Sequence, residues 1–199
     1  MGNQSGQSYG LTILSPIINN GSRAAAEDLA LRHHLSKLAN GEHSPFAKVP
    51  GTHFVRLVVM GDVVFVGYPA RDEHLKSQYL ICTADFDGEL DPYLQTLART
   101  IPAALDAIWK HCVGYPGAAD LAKFAEYMKK CQIETSLYFS DVSDRTLEQT
   151  LKALLVKTAV SAFVERYQGQ PASVVQPAFK KFLTELSQTP APGPGAAGI

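Results

Sequence analysis

Apolar residues along this chain change period several times, and each change marks an element. From Leu90 they recur in steps of three and four, at Leu94, Leu97, Ile101, Leu105, Ile108 and Cys112, which is one buried stripe of a helical region. Asp91 is placed to cap its start, with Pro92 in the first turn, where a missing N–H costs nothing. Pro102 cannot stay inside an unbroken helix, so the region is expected to kink or split near Thr100. Gly114, Pro116 and Gly117 end it. Before it, 79–83 (YLICT) is an apolar strand, and Asp87-Gly88 turns the chain into the helix.

The rest of the chain sorts in the same way. Residues 11–17 form a short strand ending at Pro16, and Asn19-Asn20-Gly21 is a turn. Ser22 caps a helix from about Arg23 to Leu38, with Leu31, Leu35 and Leu38 on its apolar side. A strand follows at 52–60, and Gly61-Asp62 signals a hairpin into another at 63–68. Residues 118–130 read as a helix, and 133–139 (IETSLYF) alternates as a strand. Two more helices follow, one reaching about Tyr167 with Leu147, Leu151, Leu154 and Leu155 on its stripe, the other at 171–187.

The predicted order is strand, helix, strand, strand, helix, strand, then extra helices. That is an α+β chain on the ferredoxin-like, split βαβ plan: an antiparallel sheet with helices on one face and additional C-terminal helices. One domain at 10–187 is expected, between a flexible lead (1–9) and a disordered Pro/Gly tail (188–199). A sheet covered on one side must bury its other face, by dimerisation or by a ligand cleft.

Strand alternation says which residues that open face carries. In 52–60, His53, Val55, Leu57 and Val59 share one face, and Phe54, Arg56 and Val58 the other. In 133–139, Ile133, Leu137 and Phe139 oppose Glu134, Ser136 and Tyr138. The apolar sets belong under the helices, so Arg56, Glu134, Ser136 and Tyr138 are candidates to line a cleft. The plainer alternative is a cross-strand Arg56–Glu134 pair or a dimer interface. His111-Cys112 fails as a reactive pair, because adjacent helical side chains diverge by about 100°. Cys112 belongs to the stripe as core, and His111 suits helix-end capping or a ligand contact. Asp85 and Asp87 flank Phe86 at the strand exit, where turn chemistry accounts for them and acid–base or cation-holding work is the alternative.

Composition narrows the classes. The 199 residues carry a net charge of −1 with 19% charged side chains, so no surplus of positive charge argues for a nucleic-acid partner. No apolar run approaches a membrane span. Three cysteines form neither a disulfide framework nor a zinc site, and His33, His34 and His43 lack metal-ligand spacing. Free thiols fit a reducing compartment, hence a cytoplasmic location, with no metal expected.

Three separated motifs add a resemblance. THFVRLVVM, YLICTADFDGELDPYL and LDAIWKHCVGYPG, followed by IETSLYF, resemble a family of uncharacterised bacterial ferredoxin-like proteins patterned as an HFARW strand, an SNFDG turn and an IWGHCEGYP helix end. The likeness runs from about Leu11 to Leu155. It implies kinship with the dimeric α/β-barrel superfamily of small monooxygenases, dye-decolourising-peroxidase-like and chlorite-dismutase-like proteins. The chain departs from the pattern at Leu57, at Thr83-Ala84-Asp85 and at Lys110 and Val113. It also lacks the first glycine of the peroxidase motif GxxDG before Asp87-Gly88. Three functions follow as expectations. One is a homodimer binding a small molecule on the open face, with Arg56, Tyr138 and His111 orienting it. Another is a haem-dependent peroxidase-like enzyme with His111 or His53 as axial ligand and Arg56 beside it. The last is a non-catalytic assembly module.

Overall fold

The computed structural model describes residues 2–19, 21, 26–63, 67–69, 74–141 and 143–194. Its strands are β1 (Gln4–Ser5), β2 (Ser8–Pro16), β3 (Thr52–Met60) and β4 (Tyr79–Asp87). Its helices are α1 (Glu27–Leu35), α2 (Leu90–Thr100), α3 (Pro102–Trp109), α4 (Leu121–Lys130), α5 (Leu147–Tyr167) and α6 (Ala172–Gln188). The strands form one antiparallel sheet in the order β1-β2-β4-β3. The molecule is therefore α+β, with six helices and a four-stranded antiparallel sheet among the described residues.

Pro102 divides the central helical region as its chemistry requires, with α2 ending at Thr100 and Pro102 opening α3. The start differs from expectation: Glu89 is the N-cap, without a side-chain cap bond, and Asp91 lies inside the first turn. The cap predicted at Ser22 and the centre of the strand predicted at 63–68 lie outside the described residues. Val63, Gly67 and Tyr68 are in no strand.

One face of the sheet is the core face. Leu11, Ile13, Leu80, Cys82, Ala84 and Phe86 are buried there against Leu31 of α1, Leu94 and Leu97 of α2, Leu105, Ile108 and Trp109 of α3, and Phe124 and Met128 of α4. Phe86 is fully buried and stacks between Tyr9 (centroids 5.2 Å) and Tyr93 (3.6 Å). Burying a side chain of that size is worth ~1.5–3 kcal/mol. Trp109 donates its Nε1–H to Ser15 Oγ at 3.3 Å, which gives both buried polar atoms a partner.

The strand expected at 133–139 does not form. Ile133 N–H donates to the Thr12 carbonyl and Leu14 N–H to the Cys131 carbonyl, but pairing then stops. The edge of β2 that it would need is taken: Gln4 pairs with Tyr9, and Gly10 N–H donates to the Asn3 carbonyl. Asn3, buried, then draws Thr135 N–H to its Oδ1. Within the stretch expected as a flexible lead, Gln4–Ser5 instead pair with the start of β2. Leu137 and Phe139 are left 85% and 78% exposed, not under the helices.

α5 and α6 bury no residue and pair with each other as a helical hairpin, while Leu147 and Leu151 of the predicted stripe line a cleft with Pro50 and Pro192 and Leu154 stays 45% exposed. Asp87 ties the hairpin to the sheet by accepting the Leu147 N–H at 2.8 Å. In the tail, Ala191, Pro192 and Pro194 lie half-buried beside 47–51. No helix among the described residues is long and apolar enough to cross a membrane.

Candidate functional site

The open face of the sheet is built by register. Gly10, Thr12 and Leu14 of β2 stand opposite Asp85, Thr83 and Ile81 of β4, which stand opposite Phe54, Arg56 and Val58 of β3. Alternation in YLICTADFD therefore sends Leu80, Cys82, Ala84 and Phe86 into the core, and Ile81, Thr83 and Asp85 to the open side. The face assignment of Phe54, Arg56 and Val58 agrees with the sequence. Phe54 and Val58 are 45% and 42% exposed, whereas Val59 is buried.

Tyr138 reaches this face from the 132–141 segment and lays its ring on Gly10. A Cβ at position 10 would stand 2.6 Å from its Cδ2. The glycine is thus the seat of the ring. The Tyr138 hydroxyl is buried and makes no hydrogen bond of good geometry among the described residues, but the Ser140 and Ser8 side chains are close enough to bond it loosely and ease its ionisation. Burial raises its pKa, and the Asp85 charge raises it further. The Thr83 hydroxyl, on the central strand, is buried without a partner among the described residues. Asp85 is half-buried; burial holds its carboxyl above the ordinary range, against the pull of the nearby His53. The face thus combines two buried hydroxyls without a well-formed hydrogen bond and an acid whose pKa burial raises, beside apolar Phe54, Val58, Ile81 and Leu14.

His53 sits at the irregularity between Thr52 and Phe54, so it leaves the alternation that placed it with Val55 and Leu57. Its Nε2 meets Asp87 Oδ1 at 2.6 Å. Asp87 thereby holds the imidazole with one oxygen and the start of α5 with the other. His53 also borders a cleft of about 320 Å³ with Phe46, Phe54 and Pro194.

The structure separates other residues that the sequence grouped. Arg56 lies exposed on the outer strand β3, and its side chain makes no hydrogen bond or ion pair among the described residues. Glu134 and Ser136 are exposed at the far edge, beyond β2. Two strands lie between Arg56 and Glu134, so no cross-strand pair joins them. Glu134 instead lines a separate cleft of about 430 Å³ with Tyr9, Glu89, Lys129 and Gln132. His111 is on the helical side, 7% exposed, with Nδ1 2.5 Å from Glu27 Oε2 of α1. Neighbouring His34 has its basicity lowered by burial and then by His111, Lys110 and Lys37.

Thr83 and Gly10 are the site residues that sequence reasoning passed over, and Asp85, weighed there as turn chemistry or an acid–base group, joins them on the open face. Their signal was present: polar side chains at every second position of an apolar strand mark an uncovered face. Among the described residues, no group of three or more His, Cys, Asp or Glu side chains is placed to hold a metal ion. Compared with known proteins, the chain matches no family model, no curated protein and no solved structure.

Proposed function

We propose that this protein binds a small molecule on the open face of its sheet, beside Thr83, Asp85, Tyr138 and Arg56, as a ferredoxin-like homodimer. The observation that carries the reading is that the buried hydroxyls of Thr83 and Tyr138, neither in a hydrogen bond of good geometry, stand on the same face as Asp85. Native proteins leave few buried polar groups unsatisfied, and each unsatisfied group costs ~1–3 kcal/mol. A ligand offering an acceptor to these hydroxyls would recover that cost. Phe54, Val58 and Ile81 supply the apolar wall that such a ligand's body needs.

The ferredoxin-like part of the proposal rests on the strand order β1-β2-β4-β3 with α1 and α2–α3 on one face. This order is compatible with a split βαβ plan whose last strand is reduced to the Ile13–Gln132 bridge. Together with the three sequence motifs, it supports the kinship proposed with the dimeric α/β-barrel superfamily.

Haem does not suit the two histidines. His111 is committed to Glu27 and lies within the helical layer. His53 is committed to Asp87 beside a cleft of about 320 Å³, at the lower end of small-ligand pockets and too small for a macrocycle. No step is assigned to haem.

Amide chemical-shift mapping with benzamide and benzoate, two probes with an acceptor on an apolar ring, tests the proposal. Shifts centred on residues 10–14, 54–58 and 81–85, weakened in Tyr138→Phe, are expected. Shifts confined to the Glu134 cleft, or none at millimolar probe, would overturn it.

A further inference from the structure

Beyond α6 the chain runs on as TPAPGP, residues 189–194, and the backbone of this stretch is fixed largely by its sequence. The rings of Pro190, Pro192 and Pro194 hold φ at about −65°. Thr189, Ala191 and Gly193 each precede a proline, which disfavours the helical region. Thr189 accordingly has φ −74° and ψ 123°. Gly193 has no positive φ. Prolines alternating in this way give a polyproline II strand, left-handed, with about three residues per turn and no internal hydrogen bonds.

Burial follows the same period of three. Pro190 and Gly193 are exposed, and a Cβ at position 193 would meet nothing within 4 Å. Ala191 and Pro194, which share the next edge, are half-buried, and so is Pro192 on the remaining one. One edge of the three-sided strand thus faces out and two face in. The inner edges meet apolar walls. Pro192 borders a cleft of about 430 Å³ with Pro50, Leu147 and Leu151. Pro194 borders both this cleft and the neighbouring one of about 320 Å³, which holds Phe46 and Phe54. Lys152 of α5 sets the tail on this course: its Nζ donates to the Leu186 carbonyl at 2.9 Å and to the Thr189 carbonyl, fixing the end of α6.

We infer that the surface between 46–54 and the start of α5 recognises polyproline II backbone, and that this chain's own 189–194 is its resident occupant, strapping the α5–α6 hairpin to the sheet. The occupant is the segment already seated there on two of its three edges. Its chemistry suits the walls. Proline has no N–H to leave unsatisfied against an apolar surface, and its fixed φ lowers the entropy lost on ordering. Grooves that take such segments are lined by aromatic side chains, the part played here by Phe46 and Phe54. The hairpin also has a use for a strap: α5 and α6 bury no residue, so core packing does not hold them to the sheet. The strap adds to the bond from Leu147 N–H to Asp87 at the base of α5. A tethered tail faces its groove at about millimolar effective concentration, so a free proline-rich segment competes with it only above that level.

Amide chemical-shift mapping of the full chain tests the inference. Pro192→Asp with Pro194→Asp puts charge on the two inner edges and should release the strap, shifting amides at 47–55 and 147–151 while those of 80–86 on the central strand stay in place. Gly193→Asp puts the same charge on the outer edge and should leave all of them unshifted. The free peptide TPAPGP, added at millimolar concentration to the released variant, should return the 47–55 and 147–151 amides toward their wild-type positions, because a segment held at millimolar effective concentration must also bind in trans at that level. Unmoved amides in the double variant, equal shifts from Gly193→Asp, or no return with the peptide would overturn the inference. Wild-type positions that change on dilution would assign the seated tail to a second copy and would overturn it as well. Should the double variant disturb 80–86, wild-type nuclear Overhauser effects between the Pro192 and Pro194 rings and the side chains of 46–54 or Leu147 decide: their presence supports the strap and their absence refutes it.

Discussion

Gly10→Ala offers the sharpest test of how the open face is built. Gly10 has no positive φ, so alanine meets no backbone strain. Elsewhere in such a strand the exchange would stabilise the protein by ~0.4–1 kcal/mol, by restricting the unfolded chain. Here the new Cβ would stand 2.6, 2.7 and 3.0 Å from Cδ2, Cε2 and Cγ of Tyr138. Carbon atoms prefer ~3.5–4.0 Å, so the ring must retreat by about 1 Å. Overpacking of that kind costs ~1–3 kcal/mol. The net expectation is a loss of about 1–2 kcal/mol, or roughly 2–8 °C in Tm for a chain of this size. Urea unfolding of wild type, Gly10→Ala, Tyr138→Ala and the double variant isolates the contact. In the Tyr138→Ala background the clash is gone, and the alanine should turn stabilising by ~0.4–1 kcal/mol. An equal loss in both backgrounds would show that Tyr138 does not rest on Gly10, and the described face would be wrong.

Other outcomes follow from single residues. Asp87→Ala removes the acceptor of the Leu147 N–H and the partner of His53, and should cost about 1 kcal/mol, read as faster amide exchange in the first turn of α5. Asp85 has a folded pKa above its unfolded one, so it favours the fold at low pH, an advantage lost as pH rises through the folded value. Asp85→Asn should therefore be more stable than wild type at pH 7, and the gain should vanish below the ordinary carboxylate range; a pH-independent difference would refute the burial of that carboxyl. Burial pushes the Cys82 and Cys112 thiols up to about 12, so iodoacetamide at pH 8 should modify half-buried Cys131 first in the native protein, read by mass spectrometry.

What the sequence made legible was local. The alternation of 52–60 placed Phe54, Arg56 and Val58 on the open side, because a period of two needs no knowledge of neighbours. Pro102 divided the helices because its ring forbids continuity whatever surrounds it. What stayed hidden depended on distant partners. Residues 133–139 alternate like a strand, but the hairpin of Gln4–Ser5 already occupies part of the β2 edge. The stripe of α5 reads as core, but none of its residues is buried, and Leu147 and Leu151 only line a cleft with the 47–51 loop and Ala191-Pro192. Glu27 meets His111 across 84 positions and Asp87 meets Leu147 across 60, so no spacing announces either. The candidate site was half legible: Arg56 and Tyr138 were on the right face, whereas Thr83 and Asp85 gain meaning only from their burial.

The most direct test of the central claim is the stability of the ligand-free Thr83→Val, Tyr138→Phe double variant. If the two hydroxyls are buried without a well-formed hydrogen bond, to await a ligand, their removal should stabilise the protein by about 1 kcal/mol each in urea unfolding, and abolish any thermal shift given by benzamide. A variant less stable than wild type would mean that the hydroxyls are already satisfied within the chain, and would contradict the account.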